Sequence, residues 1–297
     1  MLDKITGMRV FVATVQQGSF VAAAEKLAMS PQMVARHIAS MEKQLETRLL
    51  TRTTRQQSLT PTGNQYFKRC QTILQAIADA DSEARGSADV PSGTLRLNAP
   101  VTFGRYALTD FLTDFLARYP HINIELTLSD DVINPAAEDF DAVIRIGELD
   151  KNLRLAARPL AAYRLITCAA PEYLAKQGWP QHPADLAHHQ CLTFAPWQAG
   201  LSDRWPFISE GLLYDVDVNS RLKINDWGAL LEAAIRGAGV VMGYDKALAL
   251  PLKRGQLVAI LADYPCPERA MHLLWQPARV NETRYRVFID ALCEYFH

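Results

Sequence analysis

The chain has little cysteine and no long apolar run, and each shortage narrows what it can be. Five cysteines, Cys70, Cys168, Cys191, Cys266 and Cys293, are scattered over 297 residues. They are odd in number, widely spaced and form no CxxC pair. That excludes a disulfide scaffold or a zinc module and makes reduced packing thiols the expectation. No segment approaches the roughly 20 uninterrupted apolar residues of a bilayer span. The best candidate, GALLEAAIRGAGVVMG, carries Glu232 and Arg236. The amino-terminal MLDKITGMRVFVATV mixes charges of both signs and offers no small-residue cleavage site, so no secretory signal is read there. A soluble, cytoplasmic protein without a membrane partner is expected.

Catalytic signatures are missing as well. The sequence contains no GxSxG, HExxH, GxxxxGK[ST] or GxGxxG. No catalytic residue, metal site or cofactor is therefore expected, and the protein is read as a non-enzyme. The chain also lacks a net charge of one sign, with 31 basic against 32 acidic residues, but the balance is uneven. Residues 1–60 hold eight Lys and Arg against four Asp and Glu, and the remainder is net acidic. A basic first unit on an acidic body suggests that the two meet different partners, the first a polyanion.

The first sixty residues carry the strongest pattern. Met8, Phe11, Val12 and Val15 recur at helical spacing until Gly18 ends the run. Ser19 can cap a short second helix with Phe20, Ala23, Ala24 and Leu27 on one face. Ser30-Pro31 then pairs a capping hydroxyl with a proline suited to the first helical position, so a third helix begins there. In it Val34, Ile38, Met41 and Leu45 form the packing stripe, leaving Gln32, Met33, Arg36, His37 and Ser40 facing out. Two helices joined by a tight turn, the second offering amide, guanidinium and imidazole groups, have the form of a helix-turn-helix that reads a major groove. Ser30, Gln32, Met33, Arg36, His37 and Ser40 are the expected DNA contacts. The segment from Leu49 to Thr60 reads as a hairpin wing whose Arg52 and Arg55 suit phosphate contacts. Thr60-Pro61 repeats the cap-plus-proline device and opens a long helix reaching Arg85. Its stripe of Tyr66, Phe67, Cys70, Ile73, Leu74 and Ile77 either packs on its own body or pairs with a second copy. Pairing is the expectation, since winged helix-turn-helix proteins read two half-sites through a two-fold axis.

With GSF, AAAEKL, S-P, V-x-R-x-I, LE, RLL, R-x-x-R and LT-x-x-G in order, residues 1–85 resemble the winged helix-turn-helix and linker helix of LysR-type transcriptional regulators. The recognition helix departs at Gln32 and Ala35, where many relatives carry serine. The resemblance implies a double-stranded DNA operator, a homodimer or homotetramer, a small-molecule effector and RNA polymerase as a further partner.

Beyond the Gly86–Gly93 linker, strand and helix patterns alternate, which indicates an α/β body with a largely parallel sheet. The fold expected is thus α/β, with an all-α-dominated winged helix-turn-helix at the amino terminus and a two-lobed effector domain like that of periplasmic binding proteins. The divisions read are 1–60 for the DNA-binding domain, 61–86 for the linker and dimerisation helix, 87–93 for a hinge and 94–297 for the effector domain. Lobe I is expected at about 94–161 and 269–297, and lobe II at about 162–268, with a strand starting at Tyr163. Pro100, Val101 and Thr102 fall between a strand end and a helix start, where backbone N–H groups can hold an anion. An anionic effector is expected for that reason. The resemblance extends an effector-contact role to Thr102, Ser129, Arg145, Phe194 and Tyr244, although Arg145 has Asp141 and Glu148 near it as structural partners. Trp197 and Trp227 are candidates for an aromatic wall or for core. The competing reading is a solute-binding or enzymatic α/β protein with a DNA- or partner-binding module at its front.

Overall fold

The computed structural model describes residues 3–52, 57–84, 90–131, 140–150, 155–194, 203–277 and 282–297. The chain divides into two compact units, Met1–Gly93 and Thr94–His297.

In the first unit the capping residues set the helices. Asp3 accepts from the backbone of Ile5 and Thr6 to start α1 (Lys4–Gln17), and Gly18 closes it in the left-handed region at φ 71°. Ser19 accepts from Ala22 N to start α2 (Phe20–Lys26), and Ser30 accepts from Met33 N to start α3 (Pro31–Gln44). The turn between α2 and α3 places Ala28 at φ 52°, a conformation unusual for a residue with a Cβ. Strands β1 (Leu50–Arg52) and β2 (Gln57–Leu59) form the antiparallel wing, and α4 (Pro61–Ala84) follows. Thr60 locks that junction: its hydroxyl donates to Arg48 O at 2.8 Å and accepts from Gly63 N at 2.9 Å. A Cβ on Gly63 would lie 2.0 Å from the Leu49 carbonyl oxygen, so only glycine admits this close approach of helix to wing. The core gathers Met8, Val10, Phe11, Ala23, Ala24, Val34, Ile38, Met41, Leu49 and Cys70, with Ala23 and Ala24 allowing α2 to lie close.

The second unit begins with β3 (Gly93–Ala99) and a helical run of α5 (Val101–Phe103), a π-helical turn (Gly104–Leu108) and α6 (Thr109–Arg118). Next come β4 (Ile122–Leu128), β5 (Ala142–Ile146), β6 (Ala156–Tyr163), β7 (Leu165–Ala169) and α7 (Pro171–Gln177). A 3-10 turn (Pro183–His188) leads to β8 (Cys191–Phe194), β9 (Arg204–Ser209), β10 (Leu212–Asp217) and β11 (Leu222–Ile224). The chain closes with α8 (Trp227–Ile235), β12 (Val240–Tyr244), α9 (Asp245–Lys253), β13 (Val258–Ala259), β14 (Arg269–Trp275) and α10 (Thr283–Tyr295).

Two five-stranded sheets result, ordered β4-β3-β5-β14-β6 and β11-β8-β12-β7-β13, with β9 and β10 forming a separate hairpin. The chain leaves the first sheet after β6 and returns to its interior as β14, so two crossings join two lobes. Each sheet is mixed rather than largely parallel. β3 runs parallel to β5 and β8 parallel to β11 and β12, but β14 is antiparallel to β5 and β6, and β7 is antiparallel to β12 and β13. The reversal follows from the crossings themselves, since a strand that re-enters from the other lobe arrives in the opposite sense. Tyr163 is also reassigned: it ends β6 in the first lobe, and the second lobe's first strand starts at Leu165.

Candidate nucleic-acid interface and effector cleft

On the first two turns of α3 Gln32, Met33 and Arg36 are exposed, with Ser30 and Pro31 exposed just before them and Ser40, further along, half-buried. Val34, Ile38 and Met41 are buried beneath, so the inner stripe holds the helix while its first turns remain open to a groove. His37 does not share that face. It is only 5% exposed, because it stands three residues after Val34 and four before Met41 and so falls on the inner side of the helix. Its expected place among the outward DNA contacts is corrected on that ground. Arg55 lies outside the described residues, as does the side chain of Arg52, whose backbone ends β1.

The carboxylate of Glu42, on the last turn of α3, is buried and accepts from both Leu49 N at 2.8 Å and Leu50 N at 3.1 Å. Arg48 Nη1 stands 3.6 Å from its second oxygen. The recognition helix is thereby pinned to the strand that starts the wing.

The apolar stripe of α4 serves its own unit along its first half. The rings of Tyr66 and Phe67 pack on Phe11 at 5.8 and 6.3 Å, Cys70 is fully buried and Leu74 borders the same core. All four thus border the core of their own unit, with Tyr66, Phe67 and Leu74 half-buried there. Ile73, 42% exposed, and the half-buried Ile77 are left on the outer part of the stripe.

In the second unit, the strand ends bring several expected effector residues to one region of the first lobe. Ser129 N donates to Ala99 O at 3.1 Å, holding the end of β4 beside the end of β3. The Val101 N–H, first in the helical run, donates to Asp130 Oδ1 at 3.1 Å. A carboxylate of the chain thus takes up one of the N–H groups at which an anion was expected. Burial holds the Asp130 carboxyl above its ordinary range, with the neighbouring Asp131 adding to the effect. Thr102 is buried, with its side chain beside the Tyr163 hydroxyl. Tyr163 in turn stacks on Tyr244 with centroids 4.1 Å apart, and Phe103 lies 6.4 Å from Tyr244. The π-helical turn follows immediately, a feature that recurs at functional sites. Arg145 donates to Asn98 Oδ1 at 2.9 Å and to Ile144 O at 3.2 Å. Phe194 is buried edge-on to Trp227 at 6.1 Å, in the second lobe, and Trp227 is core. Trp197 lies outside the described residues. Among the described residues, no group of three or more His, Cys, Asp or Glu is placed to hold a metal ion.

Comparison with known proteins decides the family. Residues 5–64 match the model for bacterial regulatory helix-turn-helix proteins of the lysR family, and residues 88–296 match the LysR substrate binding domain. The chain belongs to the LysR family. It is a LysR-type transcriptional regulator with a DNA-binding unit and an effector-binding domain. An HTH-type transcriptional repressor of Pseudomonas aeruginosa is 32% identical over 99% of this chain and 93% of its own length. The regulator CrgA of Neisseria meningitidis is 35% identical over 97% of this chain and 95% of its own. The solved structure of that CrgA matches with TM-score 0.63 at 34% identity, covering 98% of each chain. Full-length AphB, a virulence activator of Vibrio cholerae, matches with TM-score 0.63 at 25% identity over 99% of this chain and all of its own.

For a LysR-type regulator, the residues that sequence reasoning missed are those that organise the expected ones. Tyr163, Asp130 and Asn98 carry no local motif; each acquires a role only when strands distant in sequence meet. His37 did carry a signal, its i+3 and i−4 spacing to Val34 and Met41.

Proposed function

We propose that the regulator reads its operator with Ser30, Gln32, Met33, Arg36 and Ser40 in the major groove and with the wing arginines Arg52 and Arg55 on phosphates. The observation that carries this reading is the capped start of α3, where Gln32, Met33 and Arg36 are exposed above a buried stripe. The active form is a homodimer or homotetramer to which Ile73 and Ile77 of α4 contribute. The effector is a small molecule held near Pro100, Val101, Thr102 and Ser129, with Phe194 and Tyr244 facing it from the other lobe and Arg145 supporting the strand end. Because Asp130 already fills the helix start, the effector presents a neutral or hydrogen-bond-donating group there. The effector acts by favouring one arrangement of the lobes, since equal binding to two arrangements shifts nothing. The chain works in the cytoplasm without catalysis, in contact with RNA polymerase; no helix among the described residues is long and apolar enough to cross a membrane.

The test is selection of genomic fragments by the full-length protein, followed by titration of the recovered operator. Arg36→Ala is expected to cost about 1–3 kcal/mol of specific binding. Binding should also weaken steeply with salt, because phosphate neutralisation releases counterions. Undiminished sequence-specific binding by Arg36→Ala, or by a chain lacking residues 1–85, sinks the reading.

A further inference from the structure

The helical run that opens the first lobe meets the second lobe at a point beyond the stacked tyrosines. Two residues after Phe103, the π-helical turn carries Arg105, whose exposed side chain reaches the amino end of α8 in the second lobe. The turn is fixed by Thr109, whose backbone N–H and hydroxyl both donate to Gly104 O. Arg105 meets bare backbone there. A Cβ on Gly228, the second residue of α8, would lie 2.7 Å from Arg105 Nη1 and 3.5 Å from its Cζ, with Asp226 Oδ1 3.2 Å from the same point. Gly228 lies within the helix, where glycine is less stable than alanine, so what its missing Cβ provides is room for the guanidinium. Tyr106 faces the same helix. The Arg105 guanidinium stands 5.4 Å from its ring centroid. Burial raises the Tyr106 hydroxyl above the ordinary tyrosine value; Arg105 opposes that rise, and Asp226 and Glu232 of α8 add to it.

The forces at this contact oppose one another. The amino end of a helix carries partial positive charge and disfavours a cation, whereas the Asp226 carboxylate attracts one. Asp226 is also engaged as the cap of α8, accepting from Ala229 N at 2.7 Å. Because Arg105 is exposed, water screens both effects and the net gain is small. Such a contact is easily broken and remade, unlike the buried stack of Tyr163 on Tyr244. We infer that Arg105 is a releasable latch between the lobes, seated on Gly228 when they are together and free of it when they part. Arg105 and Gly228 are positioning residues, which act on the effector through the arrangement of the lobes. Thr102 stands three residues before Arg105 on the same helical run, so a molecule that settles at Thr102 shares its backbone support with the latch. The inference rests on the reading above that the lobes take more than one arrangement, and it is independent of the identity of effector and operator.

The test measures the distance between the lobes in the full-length protein without any ligand. Spin labels are placed at the exposed positions of Glu294→Cys in the first lobe and Lys176→Cys in the second, with Cys293→Ser to remove the one partly buried thiol. Labelled protein is diluted with unlabelled protein, so that pulsed electron resonance reads distances within one chain. Arg105→Ala and Gly228→Ala should each raise the ratio of long to short distances by roughly threefold or more. Gly228→Ala discriminates, because alanine favours the helix: a purely structural glycine would leave the lobes unmoved, whereas the latch predicts that a firmer α8 goes with looser lobes. The double variant should shift no further than the larger single, since both remove one shared contact. Tyr244→Leu, which removes the ring stack, reports whether the lobes can part at all. If it parts them and neither Arg105→Ala nor Gly228→Ala does, the latch is overturned while the two-arrangement reading stands; if no variant parts them, both fall. Additive shifts in the double variant also overturn the latch, as does a shift in Arg105→Ala that Gly228→Ala fails to reproduce.

Discussion

Tyr163 and Tyr244 stack face to face, with ring centroids 4.1 Å apart and planes 8° from parallel. The first ends the last strand before the chain leaves its first lobe, and the second ends a central strand of the other lobe. The pair therefore bridges the lobes at the crossing, and Thr102, beside the Tyr163 hydroxyl, extends it to the start of the helical run. Nearby, Arg164 Nε and Glu268 Oε1 meet at 2.7 Å and tie the two crossings together, but both are well exposed and the ion pair adds little stability. The stacked rings are the stronger joint.

Burial pushes the hydroxyls of both tyrosines well above the ordinary tyrosine value, which makes the joint sensitive to alkali. In the unfolded chain a tyrosine ionises near pH 10, while these two keep their protons in the fold. Above about pH 10 the unfolded state thus binds fewer protons than the native state, and stability falls as pH rises. Denaturant unfolding between pH 8 and 11 should show this decline. Tyr163→Phe combined with Tyr244→Phe should flatten it, since phenylalanine keeps the stack without a titrating group. An equal slope in the variant refutes the assignment.

Glu42 offers a sharper test in the amino-terminal unit, because one carboxylate oxygen accepts two backbone N–H groups at the start of the wing. Glu42→Ala leaves both donors buried or half-served, and about 2–3 kcal/mol of stability should be lost. Glu42→Gln retains an acceptor oxygen and should lose less. Chemical denaturation of the three proteins checks the order, and a Glu42→Ala protein as stable as Glu42→Gln contradicts it.

How much of this was legible in the sequence depends on how far apart the cooperating residues lie. The caps at Ser19, Ser30 and Thr60 and the closing Gly18 were readable because a cap and its helix are neighbours in the chain. The inner stripe of α3 is readable for the same reason, and His37 joins it because its spacing to Val34 and Met41 outranks its polarity. The linker-helix stripe is readable as a stripe but not as to its occupant: nothing local shows that Phe11 of α1 meets Tyr66 and Phe67 while Ile73 stays exposed. In the second unit the strands were visible but their directions were not, since β14 is set against β5 and β6 by a return across more than a hundred residues. The Tyr163–Thr102 contact and the Asp130 cap arise the same way.

The cysteines give a chemical check on the packing. Burial raises the Cys70 and Cys266 thiols to about 11 and those of Cys168 and Cys191 to about 12, so almost none is thiolate at neutral pH. Cys293, on α10, is only partly buried. A thiol-reactive disulfide reagent at pH 8 should label the native protein at Cys293 first and the other four only on unfolding. Mass spectrometry of the labelled peptides reads the order, and rapid native labelling of Cys168 or Cys191 would show that these strands are less closed than described.

Asp130 poses the opposite problem, a charged group held where its charge is disfavoured. Its carboxylate gains the Val101 N–H, yet burial outweighs that hydrogen bond and keeps its proton affinity high. A carboxyl whose folded value lies above its unfolded value favours the native state most when protonated, and that advantage is lost as pH rises through the folded value. Asp130→Asn keeps an acceptor oxygen for Val101 N–H without the charge. Relative to wild type, its thermal stability should therefore be equal or higher at pH 7, and the difference should shrink or reverse at pH 3.5, where Asp130 is neutral. A variant destabilised at pH 7 but not at pH 3.5 would show that the ionised carboxylate is a favourable cap. If the expected order holds, the chain retains at this helix start a charge that its own stability does not require, as groups at binding sites often do. The same substitution should then admit carboxylate ligands that the wild-type protein refuses, and calorimetric titration of both proteins with benzoate measures the difference.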